Sequence, residues 1–537
     1  MMPALSDRRC DGLHYPLAPV IRPSGVLRGH PKILTHLSVA DRQAKGADAR
    51  IATPLEKHLG WTPVADRFDP VALLEEQNKT REPDLVPVRH GRMAVSPFTF
   101  YRGAAKIMAA DLADTPTAGL NSQLCGDAHL SNFGGYASPE RRLMFDLNDF
   151  DETLPGPVEY DVKRLTASFV IAGRNNGFTP EQSAAAAMTA ANRYRTAMAE
   201  FATMGTMELW YTHLSEDTLK TALSQLADAA KAAESAAKGK AAAKGSGKGK
   251  GSAKSKGKVD KAAVAADDDL ARVARRAQKN LDKARTRDSL QALSKLGELV
   301  DGTYRIKSQP PIVVPMRELD AIDGLNADNV VEVLRNQFRD YRATLEADRR
   351  HVLERFSFVD MARKVVGVGS VGTRAFIVLL EGRDEQDPLF LQVKEATRSV
   401  LEDHLPASRY TNPGERVVRG QRMMQAASDI FLGWTKGIQA DRYYYWRQLR
   451  DMKTSADVEL MNPNALNFYA GLCGWTLARA HARSGDVVAL ASYLGESDTF
   501  EKAITDFAVR YADQNEQDYQ AFTAAIDSGR LPVLRGL

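Results

Sequence analysis

Apolar positions along this chain follow two periods. They recur at helical spacing over Pro97 to Ala113, Asp161 to Arg174 and Thr179 to Met204, the last entered through Thr179-Pro180-Glu181. Asp267 to Leu299 predicts a long charged helix or helix pair, and Ala327 to Arg355, Gly414 to Ala427 and Leu466 to Ser484 predict further helices. Short runs rich in β-branched and large apolar residues predict strands at Arg142 to Phe145, Ile312 to Val314, Thr373 to Leu380, Leu389 to Val393, Ile430 to Trp434 and Tyr443 to Leu449. Ahead of Arg81 the pattern is irregular apart from a helix at Pro70 to Gln77. The class is α+β.

Composition narrows the picture. The 537 residues are 44% hydrophobic and 7% aromatic, enough for a core, and no apolar run reaches membrane-spanning length. The N-terminus lacks the apolar centre of a signal peptide, and three scattered cysteines make neither a disulfide scaffold nor a zinc site. Cytoplasmic location is the expectation. The net charge of +4 is misleading, because Lys238 to Lys258 holds eight lysines and no acid. Its Gly/Ala/Ser/Lys composition has nothing to pack, so 229–266 is expected to be a disordered linker. No aromatics interleave there for base stacking, and nucleic acid is not an expected partner.

The densest chemistry lies between Leu124 and Asp161. Asp127, His129 and Asn132 form a G-D-x-H-x-x-N pattern, and Asp146, Asp149 and Asp151 follow at a strand end. Phosphoryl transfer needs one Asp to orient and deprotonate a hydroxyl, with an Asn and a second Asp to hold Mg²⁺ on phosphates. An Asp/Asn-rich turn is the bland alternative. A second motif stands far away, where Gly367, Gly369, Ser370 and Gly372 make a G-x-G-S-x-G loop followed by Lys394. A dinucleotide-binding turn must open a helix, whereas here a strand, a turn and a second strand follow. Strand, glycine loop, strand, turn and strand with Lys is the nucleotide-binding hairpin of a protein-kinase small lobe. Without the loop, Lys394 would read as an exposed strand lysine.

The runs SPFTFYRGAA, GDAHLSNFG, FDLNDFDETLPGP, GVGSVGTR, QVKEA, GQRMMQAASDIFLGW and LARAHARSGD resemble the bacterial domain-of-unknown-function 2252 family, from about Arg81 to the C-terminal region. More distantly, G-D-x-H-x-x-N is similar to the catalytic loop of aminoglycoside and choline phosphotransferases, with Cys125 where those enzymes usually carry His. That resemblance implies ATP and Mg²⁺ as cofactors. It also implies Asp127 as the catalytic residue, Asn132 and Asp149 as metal ligands with Asp146 the alternative, and Asp161 as a structural Asp twelve positions on. Gly367, Gly369, Ser370, Gly372 and Lys394 would bind the nucleotide. Glu415, or alternatively Glu402, would pair with Lys394. His129 is expected to be structural, and Arg102 is a candidate phosphate fork.

The motif order reverses that of ordinary kinases, so the expected fold is two-lobed, protein-kinase-like and circularly permuted, with helical additions. It is opened between the helix at Leu466 to Ser484 and the catalytic loop. The expected division is an irregular leader (1–80), a large-lobe part (81–228), the linker (229–266), a helical segment (267–355), the small lobe (356–453) and C-terminal helices completing the large lobe (454–537). The expected activity is ATP- and Mg²⁺-dependent transfer to a hydroxyl of a small-molecule acceptor. Nucleotide binding without efficient transfer and adenylyl transfer are the alternatives.

Overall fold

The acidic segment folds into two small antiparallel pairings. Strand β1 (Asn121–Leu124) leads into the loop carrying Asp127 and pairs with β4 (Leu154–Pro157). Between them β2 (Phe133–Ala137) and β3 (Leu143–Leu147) form a hairpin, extended at β3 by β5 (Leu214–Ser215). This computed structural model describes residues 36–225, 282–319, 336–438, 441–449 and 452–536, with a few positions between 272 and 279. The expected linker at 229–266 and residues 327–335 of the expected helix from Ala327 lie outside the described residues. Val39–Leu537 forms one compact unit.

Helices enclose the two pairings. The predicted helix from Pro97 is two, α1 (Pro97–Gly103) and α2 (Ala105–Ala113), because Ala104 leaves helical geometry at φ −106°, ψ 30°. Ser96 and Thr99 form a reciprocal capping box that fixes the start of α1. Helix α3 (Val158–Asn175) is buried along almost its whole length, its charged Glu159, Asp161, Lys163 and Arg164 included. Around it pack α4 (Pro180–Ala202), whose Thr179–Gln182 capping box matches its predicted start, and two helices from the far end of the chain. The region before Arg81 is less irregular than its sequence suggests, with helices at Val39–Ala52 and Pro70–Asn78.

Of the predicted helix or helix pair over Asp267 to Leu299, most of 267–281 lies outside the described residues; the rest is helical at 282–285 and in α5 (Ser289–Leu296), followed by a hairpin of β6 (Gly297–Val300) and β7 (Thr303–Ile306). Asp301-Gly302 makes the turn with φ of 51° and 78°, a dipeptide that favours such two-residue connections. The glycine-loop half is a six-stranded antiparallel sheet. Its strands are β8 (Val313–Pro315), β9 (Ser357–Lys364), β10 (Ala375–Glu381), β11 (Pro388–Glu395), β12 (Gly433–Lys436) and β13 (Tyr443–Gln448). They lie in the order β12–β13–β11–β10–β9–β8. Helix α6 (Pro413–Met424) connects β11 to β12 and packs on β12 and β13.

Alternation along the strands gives this sheet two different faces. Phe376, Val378, Leu391, Val393 and Trp446 share one core, where Tyr341 stacks on Trp446 at 4.5 Å. The opposite face carries Ile377, Leu379 and Phe390 against Leu293 and Leu296 of α5. Lys394 belongs to this second face, four pairs along from Phe390. The remaining helices, α7 (Pro463–Ala482) and α8 (Thr499–Asp527), return to pack beside α3 and α4. Among the described residues no helix is long and apolar enough to cross a membrane.

Candidate active site

The loop after β1 is held by its own backbone and by α3. Asn132 Nδ2 donates to the Asp127 carbonyl (2.6 Å), which leaves Asn132 Oδ1 as its remaining acceptor. In the first turn of α3, Asp161 accepts from the backbone N–H of Cys125 (2.6 Å) and of Gly126 (2.9 Å), the latter at a φ of 85°. His481 Nε2, at the end of α7, donates to the same Asp161 carboxylate (3.1 Å). Cys125 therefore does not leave a gap where a histidine was expected. Its thiol donates to the Asp149 carbonyl at 3.2 Å and ties the two halves of the acidic motif together.

Asp127 is oriented by a residue that sequence reasoning missed. Arg164 Nε donates to Asp127 Oδ1 at 2.9 Å, and its guanidinium lies 3.8 Å over the ring of Tyr101. Arg164 follows Asp161 by one helical turn, so the two face the same loop. His129 is buried, with Nε2 3.7 Å from Asp127 Oδ2. Burial, with Arg164 and Arg102 nearby, pulls its imidazole down to about 4, so it is neutral near pH 7.

The distant motif closes on the same place. Lys394 Nζ donates to Asp151 Oδ2 (2.7 Å) and Asp149 Oδ1 (3.4 Å) across 243 and 245 residues of sequence. Ser370 of the glycine loop reaches Asp151 Oδ2 at 3.3 Å, and Tyr445 donates to Asp151 Oδ1 at 2.6 Å. Burial disfavours the Asp149 charge, but Lys394, Arg447 and Lys453 outweigh it and hold this carboxyl well below the usual carboxylate range. Burial likewise opposes the Lys394 charge, and Asp149 and Asp151 hold its ammonium above the ordinary value. Gly367 (φ 66°) and Gly372 (φ 87°) take backbone conformations that other residues rarely adopt.

Two expected members lie elsewhere. Asp146 is buried inside β3, where it pairs with Arg479 of α7 and accepts from the Ala426 N–H at 2.9 Å. Strand β3 runs two residues beyond its predicted end, so Asp146 is an interior strand residue and Asp149 is the acid that emerges. Glu415 pairs with Arg419 on the surface of α6, and Glu402 accepts from Ser399 N and Ser408 N. Neither meets Lys394. One position further round α6, Arg416 points inward and donates to the carbonyls of Thr153 (2.6 Å), Asp151 (2.7 Å) and Thr397 (2.9 Å).

These groups line a cavity of about 360 Å³. Its lining includes Asp127, Asn132, Asp149 and Asp151, Gly369 and Ser370 of the glycine loop, and Arg81, Arg102 and Lys106. Glu152 also lines it, its carboxyl pushed up to about 7 by burial. A larger cavity of about 510 Å³ is bordered by Asn148, Gln421, Gln425 and Lys453, and contains neither Asp127 nor the glycine loop. Beyond Lys394, the connection after β13 is engaged by the chain itself. Met452 N–H donates to the Arg287 carbonyl (2.9 Å), and the Arg287 guanidinium donates to the Lys453 carbonyl.

A family model for uncharacterized proteins conserved in bacteria, DUF2252, matches residues 81–268 and 246–525. The chain belongs to this family. No match was found among curated proteins or solved structures. The matched span of the DUF2252 chain holds the cavity lining from Arg81 to Asp403, while Glu76, Gln77 and Thr80 precede it. Among its described residues no group of three or more His, Cys, Asp or Glu side chains could hold a metal ion unaided. Mg²⁺ commonly takes only one or two protein carboxylates and completes its shell with water and substrate phosphates. Asp149 and Asn132 Oδ1, hard oxygen donors that both line the cavity, fit that role.

Proposed function

We propose that this DUF2252 protein is a nucleotide- and Mg²⁺-dependent phosphotransferase with a permuted kinase-like fold, acting on a hydroxyl of a small acceptor. The observation that carries the reading is the meeting of Lys394 and Ser370 with Asp149 and Asp151, in a cavity that also holds Asp127 and Asn132. Two unrelated turns would have no reason to converge. The sheet order supports it too. Strand, glycine loop, strand, strand with Lys, helix, strand and strand follow as β9 to β13 with α6 after β11, which is the sequence of parts a kinase-like small lobe requires.

In this reading Asp127, fixed by Arg164 and by the bond from Asn132 to its carbonyl, orients the acceptor hydroxyl and takes its proton. Asp149 and Asn132 would hold Mg²⁺, which when bound would neutralise charge on the phosphates. Lys394 releases one of its two carboxylates to meet a phosphate oxygen. Permutation is supported by the end of α7, which lies against the start of β1. Ser122 Oγ donates to the His481 carbonyl (2.6 Å), and Gln123 N–H donates to Ser484 Oγ (2.9 Å).

Calorimetric titration with ATP, with and without Mg²⁺, tests the reading on the intact chain, Lys394→Ala and Asp149→Asn. Metal-dependent binding that both variants lose is the expected result. Binding unaffected by either substitution in folded protein sinks it. With an acceptor in hand, α- against γ-labelled ATP separates adenylyl from phosphoryl transfer.

A further inference from the structure

Most cations around the cavity are already spent. Lys394 is taken by Asp149 and Asp151, Arg164 by Asp127, and Lys106 by Glu76 and Asp403 at 3.2 Å each. Arg398 pairs with Asp403 at 2.9 Å. Arg81 and Arg102 differ. Among the described residues neither forms an ion pair with a carboxylate, and the Nε of each is buried without a hydrogen-bond partner. Arg81 is only 9% exposed and donates through Nη1 to the Val371 carbonyl of the glycine loop. Arg102 has its guanidinium 6.0 Å from the Phe98 ring centroid.

The glycine loop rests directly on these residues. A Cβ on Gly369 would come to 3.0 Å from the Arg102 carbonyl, and one on Gly372 to 3.1 Å from the Arg81 side chain. Both arginines therefore stand beside loop backbone and share the cavity wall with Gly369 and Ser370. A guanidinium stays charged, and burying one without a contacting counter-charge is costly, so two arginines with no ion-pair partner in contact suit an anion. Its planar fork matches a phosphate in two parallel hydrogen bonds. Glu152, Glu395 and Asp151 act on Arg81, and Asp127 and Glu459 on Arg102, from a distance without reaching ion-pair range.

The rest of the cavity offers little to a flat base. No aromatic side chain lines it, and its apolar lining is Ala105, Ala396 and Val400. The apolar face beside Lys394 is covered by α5, and Arg287 takes hydrogen-bonding groups of the connection after β13. What stays open is polar and cationic.

We infer that Arg81 and Arg102 form a phosphate-binding pair, and that the ligand facing Asp127 is gripped by a phosphoryl group. This deepens the phosphotransferase reading and rests on it for the identity of the reacting group. The phosphate is either the transferable end of the donor or a phosphate already on the acceptor.

The test is calorimetric titration of the full chain with inorganic tripolyphosphate, ATP, AMP and, in the presence of saturating ATP, inorganic phosphate. Arg102→Met and Arg102→Lys are compared with the parent after circular dichroism establishes that they fold. Tripolyphosphate affinity should fall about 10- to 100-fold in Arg102→Met, with partial recovery in Arg102→Lys. If the pair holds the donor, ATP affinity falls with it while AMP affinity does not. If it holds the acceptor, ATP affinity is unchanged and phosphate binding to the ATP-saturated protein is lost. Equal tripolyphosphate and phosphate affinity in folded Arg102→Met, or no binding of either to the parent, overturns the inference. Arg102-dependent tripolyphosphate binding together with ATP binding indifferent to Lys394→Ala and Asp149→Asn would keep the anion site and reject the kinase-like reading.

Discussion

Asp146 and Asp149 lie three residues apart, and substituting each by Asn should have opposite consequences. Asp146 and Arg479 are both 1% exposed in their side chains, and both Asp146 oxygens are used, one by Arg479 and one by the Ala426 N–H. An asparagine can present its carbonyl to one donor only. Its amide then faces either the guanidinium or the N–H, donor against donor. Leaving a buried charge without its partner costs about 3–5 kcal/mol, a large part of the roughly 5–15 kcal/mol that holds a domain folded. Asp149 is 31% exposed in its side chain, and its loss leaves Lys394 still bound to Asp151 at 2.7 Å. Asp149→Asn should therefore cost no more than about 1 kcal/mol, in the range of a partly exposed pair. Urea denaturation followed by circular dichroism measures the midpoints, and Mg²⁺-ATP titration measures the site. Asp146→Asn should shift the midpoint far down, whereas Asp149→Asn should keep it and lose metal-dependent binding. A stable Asp146→Asn that loses binding, beside an Asp149→Asn that unfolds, would refute the assignment of both acids.

Three further outcomes follow from the geometry. Arg416→Met should abolish nucleotide binding and lower the melting temperature, because three carbonyls lose their donor, while Glu415→Gln should change neither; equal effects would mean that α6 is turned differently. Burial raises the Glu152 carboxyl from its ordinary 4.5 to about 7, with Arg416 acting against the shift and Asp151 and Asp127 adding to it. Between those values the folded state binds the extra proton, so this group's contribution falls as pH rises through that window, and Glu152→Gln should flatten the loss of urea midpoint from pH 5 to pH 8. An unchanged slope would count against it. Cys125 and Cys473 are buried with thiols pushed up by burial, so in a Cys10→Ser background neither should react with a disulfide reagent until denaturant is added. Rapid labelling of the native protein would contradict the packing around the acidic loop.

What the sequence made legible was whatever could be coded within one turn or one strand. The Asn132 bond to Asp127 and the Asp161 bonds to Cys125 and Gly126 join residues within about forty positions, and the motif spacing anticipates them. The errors are errors of phase. One residue along a helix turns a side chain by about 100°, enough to exchange Glu415 for Arg416. Two extra residues of β3 moved Asp146 from the strand end into the interior, where its partner Arg479 lies 333 positions away and no local spacing could reveal it. Arg164 was hidden for a different reason. It sits beside Lys163 in a helix that mixes charged and apolar residues, and an arginine there carries no periodic signal of its own.

The order of the parts is the last point that composition and spacing leave open, and the contacts bear on it directly. Asp161 receives Cys125 and Gly126 from one side and His481 from the other, so one buried carboxylate joins the acidic loop to a helix more than 300 residues later. The same helix end accepts Ser122 and meets Gln123 through Ser484. A chain running straight from α7 into β1 would need almost no connecting length. Under the proposed reading, the catalytic constellation is indifferent to where the chain is cut, because each half is fixed by hydrogen bonds within a short segment and the halves meet through side chains. The cut then has a consequence for folding. Lys394 and its carboxylates can meet only after some 240 intervening residues have packed, so the site should be among the last parts of the molecule to form. Hydrogen exchange during refolding should protect the amides of Cys125 and Gly126 before those of β11, and the reverse order would show that the small sheet templates the acidic loop.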